Sequence, residues 1–178
     1  MSIPLKKHIA ISIQLDRTRQ KIRILRIYKE KGPDTMEYRK FNDTIVIRMD
    51  RGEEILSSLE ELAKKENIKL AHLEGLGAVN DFIVGVYDVE SKVYHKKEYK
   101  GAFEIVSLVG NINTMDGKFY SHLHIACADE ENHVYGGHLN KATISATLEL
   151  FITLVDGKVD RFHDEKTGLN LFDFGKKE

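Results

Sequence analysis

From Ala142 to Val155 the chain alternates without a break. Ile144, Ala146, Leu148, Leu150, Ile152 and Leu154 oppose Thr143, Ser145, Thr147, Glu149, Phe151 and Thr153. Successive side chains of a strand leave on opposite faces, so a strict period of two is strand geometry. Composition alone would also allow a helix; the strict period favours one long strand. Such a strand needs neighbours on its edges and a cover on its apolar face, and the rest of the chain supplies both.

Thr44–Asp50 alternates through Ile45, Ile47 and Met49 and reads as a strand. Glu53–Glu66 reads as a helix, with Ile55, Leu56, Leu59, Leu62 and Ala63 on one stripe. Glu53 and Glu54 suit its positive end, and Lys64 and Lys65 its negative end. Short strands are expected at 71–74, 81–87, 93–99 and 103–112, with a hairpin turn at 88–92. The stretch 103–112 is apolar on both faces, which marks a central strand. Asp156-Gly157 is a hairpin signal leading to a strand over 158–162. Many sequential strands with one main flanking helix predict an α+β fold with a mostly antiparallel β-sheet. Gly75-Leu76-Gly77 lacks the third glycine and following helix of a dinucleotide site, so a tight turn with close backbone packing is the expectation.

Chemistry concentrates in one hairpin. From Ser121 to Ala128, Leu123, Ile125 and Cys127 share the core face, while His122 and His124 share the other with Ala126 and Ala128. A five-residue loop, Asp129 to His133, pairs Ala128 with Val134 and hence His124 with His138, beyond Gly136-Gly137. A four-residue loop would set His138 opposite Leu123, on the wrong face, unless a bulge at the two glycines corrected it. In the first register three imidazoles converge, a donor set that suits zinc best and also accepts nickel, copper or iron. Three protein ligands leave one position open, as in catalytic rather than closed structural zinc sites. With eight histidines in 178 residues, a His-x-His pair arises by chance in about a third of such chains. The weight therefore rests on the third histidine and the glycine pair. His72, His95 and His163 stand singly, and His133 belongs to a solvated acidic turn.

Length fits one domain, and no apolar run approaches a membrane span. Cys127 is the sole cysteine, which excludes an internal disulfide, fits a reducing compartment and points to the cytoplasm. On its apolar face it reads as a buried small hydrophobe. Charge is uneven. Residues 1–35 carry nine Lys/Arg against three Asp/Glu, and the remainder 18 against 25. An acidic body is a poor platform for phosphate backbones. Within 1–35, two amphipathic strands are expected, through Ile9, Ile11, Ile13 and Leu15 and through Ile22, Ile24, Leu25 and Ile27, ending at Gly32-Pro33. That segment is an edge hairpin, a basic arm for an acidic partner, or translated leader ahead of a true start at Met36. The purine-rich codons that Glu30-Lys31-Gly32 requires lie at ribosome-site spacing before Met36. Residues 1–35 are thus an N-terminal extension, and the domain itself is expected over 36–178.

Several segments resemble the Plants and Prokaryotes Conserved domain family, prokaryotic stand-alone type. They are Leu73-Glu74-Gly75-Leu76-Gly77-Ala78-Val79, the run Phe103 to Asn111, His122-Leu123-His124, Tyr135-Gly136-Gly137-His138-Leu139, and Asp164 to Leu171. The resemblance covers about 36–174 and leaves 1–35 outside. It implies a sheet domain that assembles as a homotrimer, with His122, His124 and His138 at the positions where prokaryotic relatives hold a metal, usually taken as Zn2+. It also brings a DNA-binding label. In plant relatives DNA contact is attributed mainly to Arg-Gly-Arg-Pro hooks, and here Pro4 and Pro33 lie in no such segment. The plant pattern also favours arginine where Gly101-Ala102-Phe103-Glu104 carries Ala102.

Three functions follow as expectations. The first is a trimeric metal-binding domain that binds or senses a small anionic ligand at the open position. The second is a zinc-dependent enzyme using that position, with Glu104, Glu149 or His133 as general base. The third is a DNA-associated transcriptional regulator that makes contact through its basic arm.

Overall fold

The computed structural model describes residues 9–16, 21–28 and 36–175. The chain divides into two compact units, Met1–Asp34 and Thr35–Glu178. In the first, β1 (Ile9–Asp16) and β2 (Lys21–Tyr28) pair antiparallel, Ile9 opposite Tyr28, as a two-stranded sheet of their own. Both expected strands are present; the ending at Gly32-Pro33 lies outside the described residues.

The second unit runs β3 (Glu37–Phe41), β4 (Thr44–Asp50), α1 (Ile55–Lys65), β5 (Ala71–Asp88), β6 (Val93–Met115), β7 (Lys118–Ala128), β8 (Val134–Leu154), β9 (Asp160–Asp164) and β10 (Leu169–Asp173). A six-stranded sheet has the order β3-β4-β8-β5-β6-β7, and β7 pairs again with β8. That second pairing closes β5, β6, β7 and β8 into a ring, so β7 has no free edge along the closure. Every pairing is antiparallel and α1 is the one helix among the described residues, which is the expected α+β fold. No helix among them is long and apolar enough to cross a membrane.

The alternation that opens at Ala142 becomes the second half of β8. Leu148, Leu150 and Ile152 are fully buried, and Ile45, Ile47 and Met49 of β4 join them across the sheet. Helix α1 adds Ile55, Leu59, Leu62 and Ala63 to the same core, with Leu56 half-buried at its margin. Each aliphatic side chain so buried contributes about 1.5–3 kcal/mol. Glu54 caps the helix by accepting from the Leu56 and Ser57 amides, and its Oε1 also accepts from Ala142 N at 3.1 Å, tying α1 to β8. Glu53 accepts instead from the Met36 and Asp50 amides.

Four expectations about elements are corrected. The strands expected at 71–74 and 81–87 are one strand, β5, and Gly75-Leu76-Gly77 is no turn. The two glycines let β5 pass close to β8: a Cβ at Gly75 would lie 2.8 Å from Glu149 O, and one at Gly77 2.8 Å from Leu148 Cα. Register shifts at 75/77 and 79/81 absorb the bend as bulges. Likewise 93–99 and 103–112 are one strand, β6, carried through Gly101 at φ +141°. Asp156-Gly157 does not fold a strand back onto β8, because β4 and β5 already occupy both of its edges at Thr153 and Leu154. Instead β9 pairs with β10, Asp160 opposite Asp173, and packs beside β6. The strands β3 and β10, five residues each, are too short for a pattern to be read from sequence.

Candidate metal centre

The β7–β8 hairpin adopts the five-residue register. Ala128 pairs with Val134, Ala126 with Gly136, and His124 with His138. Leu123, Ile125 and Cys127 face the core, so His122 and His124 face away from it. A Cβ at Gly136 would lie 2.5 Å from Ile125 O, so this glycine allows β8 to approach β7 as closely as it does. On the other edge of β8, His138 pairs with Gly85 of β5, where a side chain would collide with the Tyr94 ring. Tyr94 stands edge-on to His138 at 6.2 Å, and Asn140 Nδ2 donates to both Tyr94 OH (2.6 Å) and His138 O (2.9 Å).

The three imidazoles form a compact triangle. Ring centroids are 5.2 Å apart for His122–His124, 5.1 Å for His122–His138 and 5.7 Å for His124–His138. One nitrogen from each ring lies within 4.8 Å of the others. On a tetrahedral zinc at the usual Zn–N length they would stand roughly 3.3–3.4 Å apart, a closure that small ring rotations supply. Protonation also fits: burial, then the neighbouring His138, Arg161 and His124, pushes the His122 imidazolium down to about 4. Burial and His124 likewise lower His138. These two rings are thus biased toward the neutral form that a metal needs. The donor set fits a divalent cation.

The triad opens onto a cavity of about 770 Å³. Tyr94 and Tyr120 line it beside the histidines, and β9–β10 brings Arg161, Asn170 and Phe172 over it. No carboxylate among the described residues lines it. Glu104 sits at the far end of β7, opposite Ala128, and Glu149 lies on the outer sheet face beside Leu76. His133 is exposed in the acidic turn, 3.4 Å from Glu131. None of the three expected bases lines the cavity. His72, His95 and His163 also lie elsewhere and are exposed. Cys127 is fully buried, which pushes its thiol up to about 12 and leaves it a hydrophobe.

Sequence reasoning missed Tyr94, Tyr120 and Arg161. Tyr120 was within reach, since it lies two residues before His122 and shares its face. Tyr94 and Arg161 arrive through long-range pairings that local pattern does not encode.

The fold has counterparts. The model of the Plants and Prokaryotes Conserved domain matches residues 36–156. No curated protein matches the chain. Among solved structures, a metal-containing protein from Archaeoglobus fulgidus is 34% identical, with 80% of this chain and 99% of that one covered and a TM-score of 0.69. A plant- and prokaryote-conserved protein from Pyrococcus horikoshii is 31% identical, with 82% and 99% covered and a TM-score of 0.68. A protein from Bacteroides thetaiotaomicron, described as a "putative DNA binding protein", is 26% identical, with 78% and 97% covered and a TM-score of 0.76. On the matched domain and these likenesses, the chain belongs to the Plants and Prokaryotes Conserved domain family.

Proposed function

We propose that this protein is a homotrimeric metal-binding domain of the cytoplasm that binds a small anionic ligand, in a ligand-binding or regulatory role. His122, His124 and His138 would hold a divalent ion, zinc by the chemistry of the donor set. The observation that carries this reading is the convergence of three imidazole nitrogens within 4.8 Å at a cavity that no carboxylate among the described residues lines. Three neutral ligands leave the ion's charge uncompensated, and an anion is the natural complement. The metal-containing relative from Archaeoglobus supports the same reading. When bound, the ion would supply an electrophilic centre for an anionic group; the chain's own residues hold it and shape the cavity beside it.

The trimer draws support from the outer sheet face. Leu76, Val106, Val109 and Phe151 are all exposed there, and the cross-strand pairs Val46–Phe151, Phe151–Glu74 and Glu74–Val109 make one row. Exposed apolar side chains gathered on one face, here around Glu74 and Glu149, mark an interaction site.

Elemental analysis of purified protein tests the metal. About one metal per chain is expected, and His122→Ala or His124→Ala should each lose it; metal-free wild type refutes the reading. A second reading, a DNA-associated regulator, is favoured by the DNA-binding description of the Bacteroides relative and by the basic charge of residues 1–35. It requires salt-dependent DNA binding that falls when 1–35 are removed. Binding that survives the truncation unchanged refutes a role for the arm.

A further inference from the structure

Arg161 is 7% exposed and yet lines the cavity beside the triad. The three hydrogen bonds of its guanidinium all go to neutral oxygens: Nε donates to Asn113 Oδ1 (3.2 Å), Nη1 to Asn170 O (2.6 Å) and Nη2 to Asn111 Oδ1 (3.1 Å). The guanidinium lies between the Tyr120 ring at 4.7 Å and the Phe172 ring at 4.3 Å. No carboxylate among the described residues pairs with it. A buried cation without a counterion is costly, and native folds keep one where something else supplies the charge. The surroundings are short of acceptors as well, for Asn113 Nδ2 is buried with no partner among the described residues.

Register places this cation next to the histidines. Asn111, which accepts from Arg161, is the β6 partner of His122, and Tyr120, which it covers, precedes His122 on the same face of β7. Guanidinium and triad are therefore about one i to i+2 step apart, roughly 7 Å. An ion held by the histidines would add a second positive centre at that distance. Arg161 also lies beyond the 36–156 match to the family model, on the β9–β10 hairpin.

We propose that Arg161 is the anion-pairing residue of this cavity and that its ligand is a small organic carboxylate with an apolar or aromatic body. The inference rests on the reading that the triad holds a divalent cation. A guanidinium has five N–H donors, and three are engaged within the protein. Two remain, one on each Nη, for a ligand's oxygens. The Tyr94 and Tyr120 hydroxyls each accept from an asparagine and keep their own protons to donate. That donor count suits the lone pairs of one carboxylate and falls short of a phosphate dianion's needs. Leu169, Leu171, Phe172 and Val86 line the rest, and about 770 Å³ is the size of small-molecule sites.

The test is calorimetric titration of the zinc-loaded full chain with benzoate, inorganic phosphate and the neutral analogue benzamide, with zinc content measured on every sample. Benzoate should bind, benzamide at least tenfold more weakly, and phosphate more weakly than benzoate. Arg161→Gln should keep its zinc and lose benzoate affinity at least tenfold. Should that variant fold poorly, Tyr94→Phe, which removes one cavity donor, should weaken benzoate several-fold with zinc retained. Equal benzoate binding by wild type and Arg161→Gln overturns the proposal, as does no benzoate binding or a preference for phosphate. Absence of zinc refutes the metal reading separately. Benzoate titrated into that metal-free protein still decides on Arg161, by its loss or persistence in the glutamine variant.

Discussion

At the scale of single residues, His122 combines two properties. It faces away from the core, yet burial and three neighbouring positive or titratable groups hold its imidazolium down to about 4. The unfolded chain, with its histidine near 6.5, therefore takes up a proton first as pH falls. The folded state's advantage is complete above 6.5 and declines between 6.5 and about 4. Thermal melts of chelator-treated protein should show the melting temperature dropping across that window, and His122→Gln should flatten part of the drop. A flat wild-type profile there would contradict the burial argument. The lowered aspartates, Asp88, Asp129, Asp160 and Asp164, lose their contribution only from about pH 5 downward, so the upper part of the window is free of them. At this scale the triad was legible in sequence, because alternation and loop length together decide which side chains share a face. Arg161 was not, because its place depends on where β9 lands, 37 positions beyond His124 in the chain.

At the scale of elements, the site depends on how closely β6, β7 and β8 approach. Gly110 of β6 faces Leu123, and a Cβ there would run into the His122 carbonyl and the Leu123 side chain. Gly110→Ala should therefore push β7 outward at His122. Overpacking of this kind costs about 1–3 kcal/mol, so the melting temperature and the metal affinity should fall together. Unchanged values for both would show that the strands can separate without disturbing the triad. The same glycines explain what sequence reading got wrong. Glycine usually punctuates, so Gly75, Gly77 and Gly101 split two long strands into four. In the fold they serve close approach and bulges, which only a partner strand reveals. Helix α1 and β4 were legible because their apolar periods are local.

At the scale of the whole molecule, the exposed apolar residues and the triad share one face of the second unit, for the row of paired residues runs from Phe151 through Glu74 and Val109 to His124. The stretch 103–112 is apolar on both faces and was expected to be a central strand for that reason. It is central, between β5 and β7, but Val106 and Val109 remain exposed. A second buried face would come from neighbouring copies. Light scattering should give three times the 20.4 kDa chain mass, and Phe151→Lys should reduce it with the metal retained. A monomeric wild type would refute the trimer and leave the triad standing. The central claim, that His122, His124 and His138 hold a divalent ion, is tested most directly by anomalous diffraction from crystals of the zinc-loaded protein. Data collected on both sides of the zinc edge should give one peak per chain, about 2.0–2.1 Å from a nitrogen of each of the three histidines. No peak among those rings, or a peak bound by other residues, would contradict it.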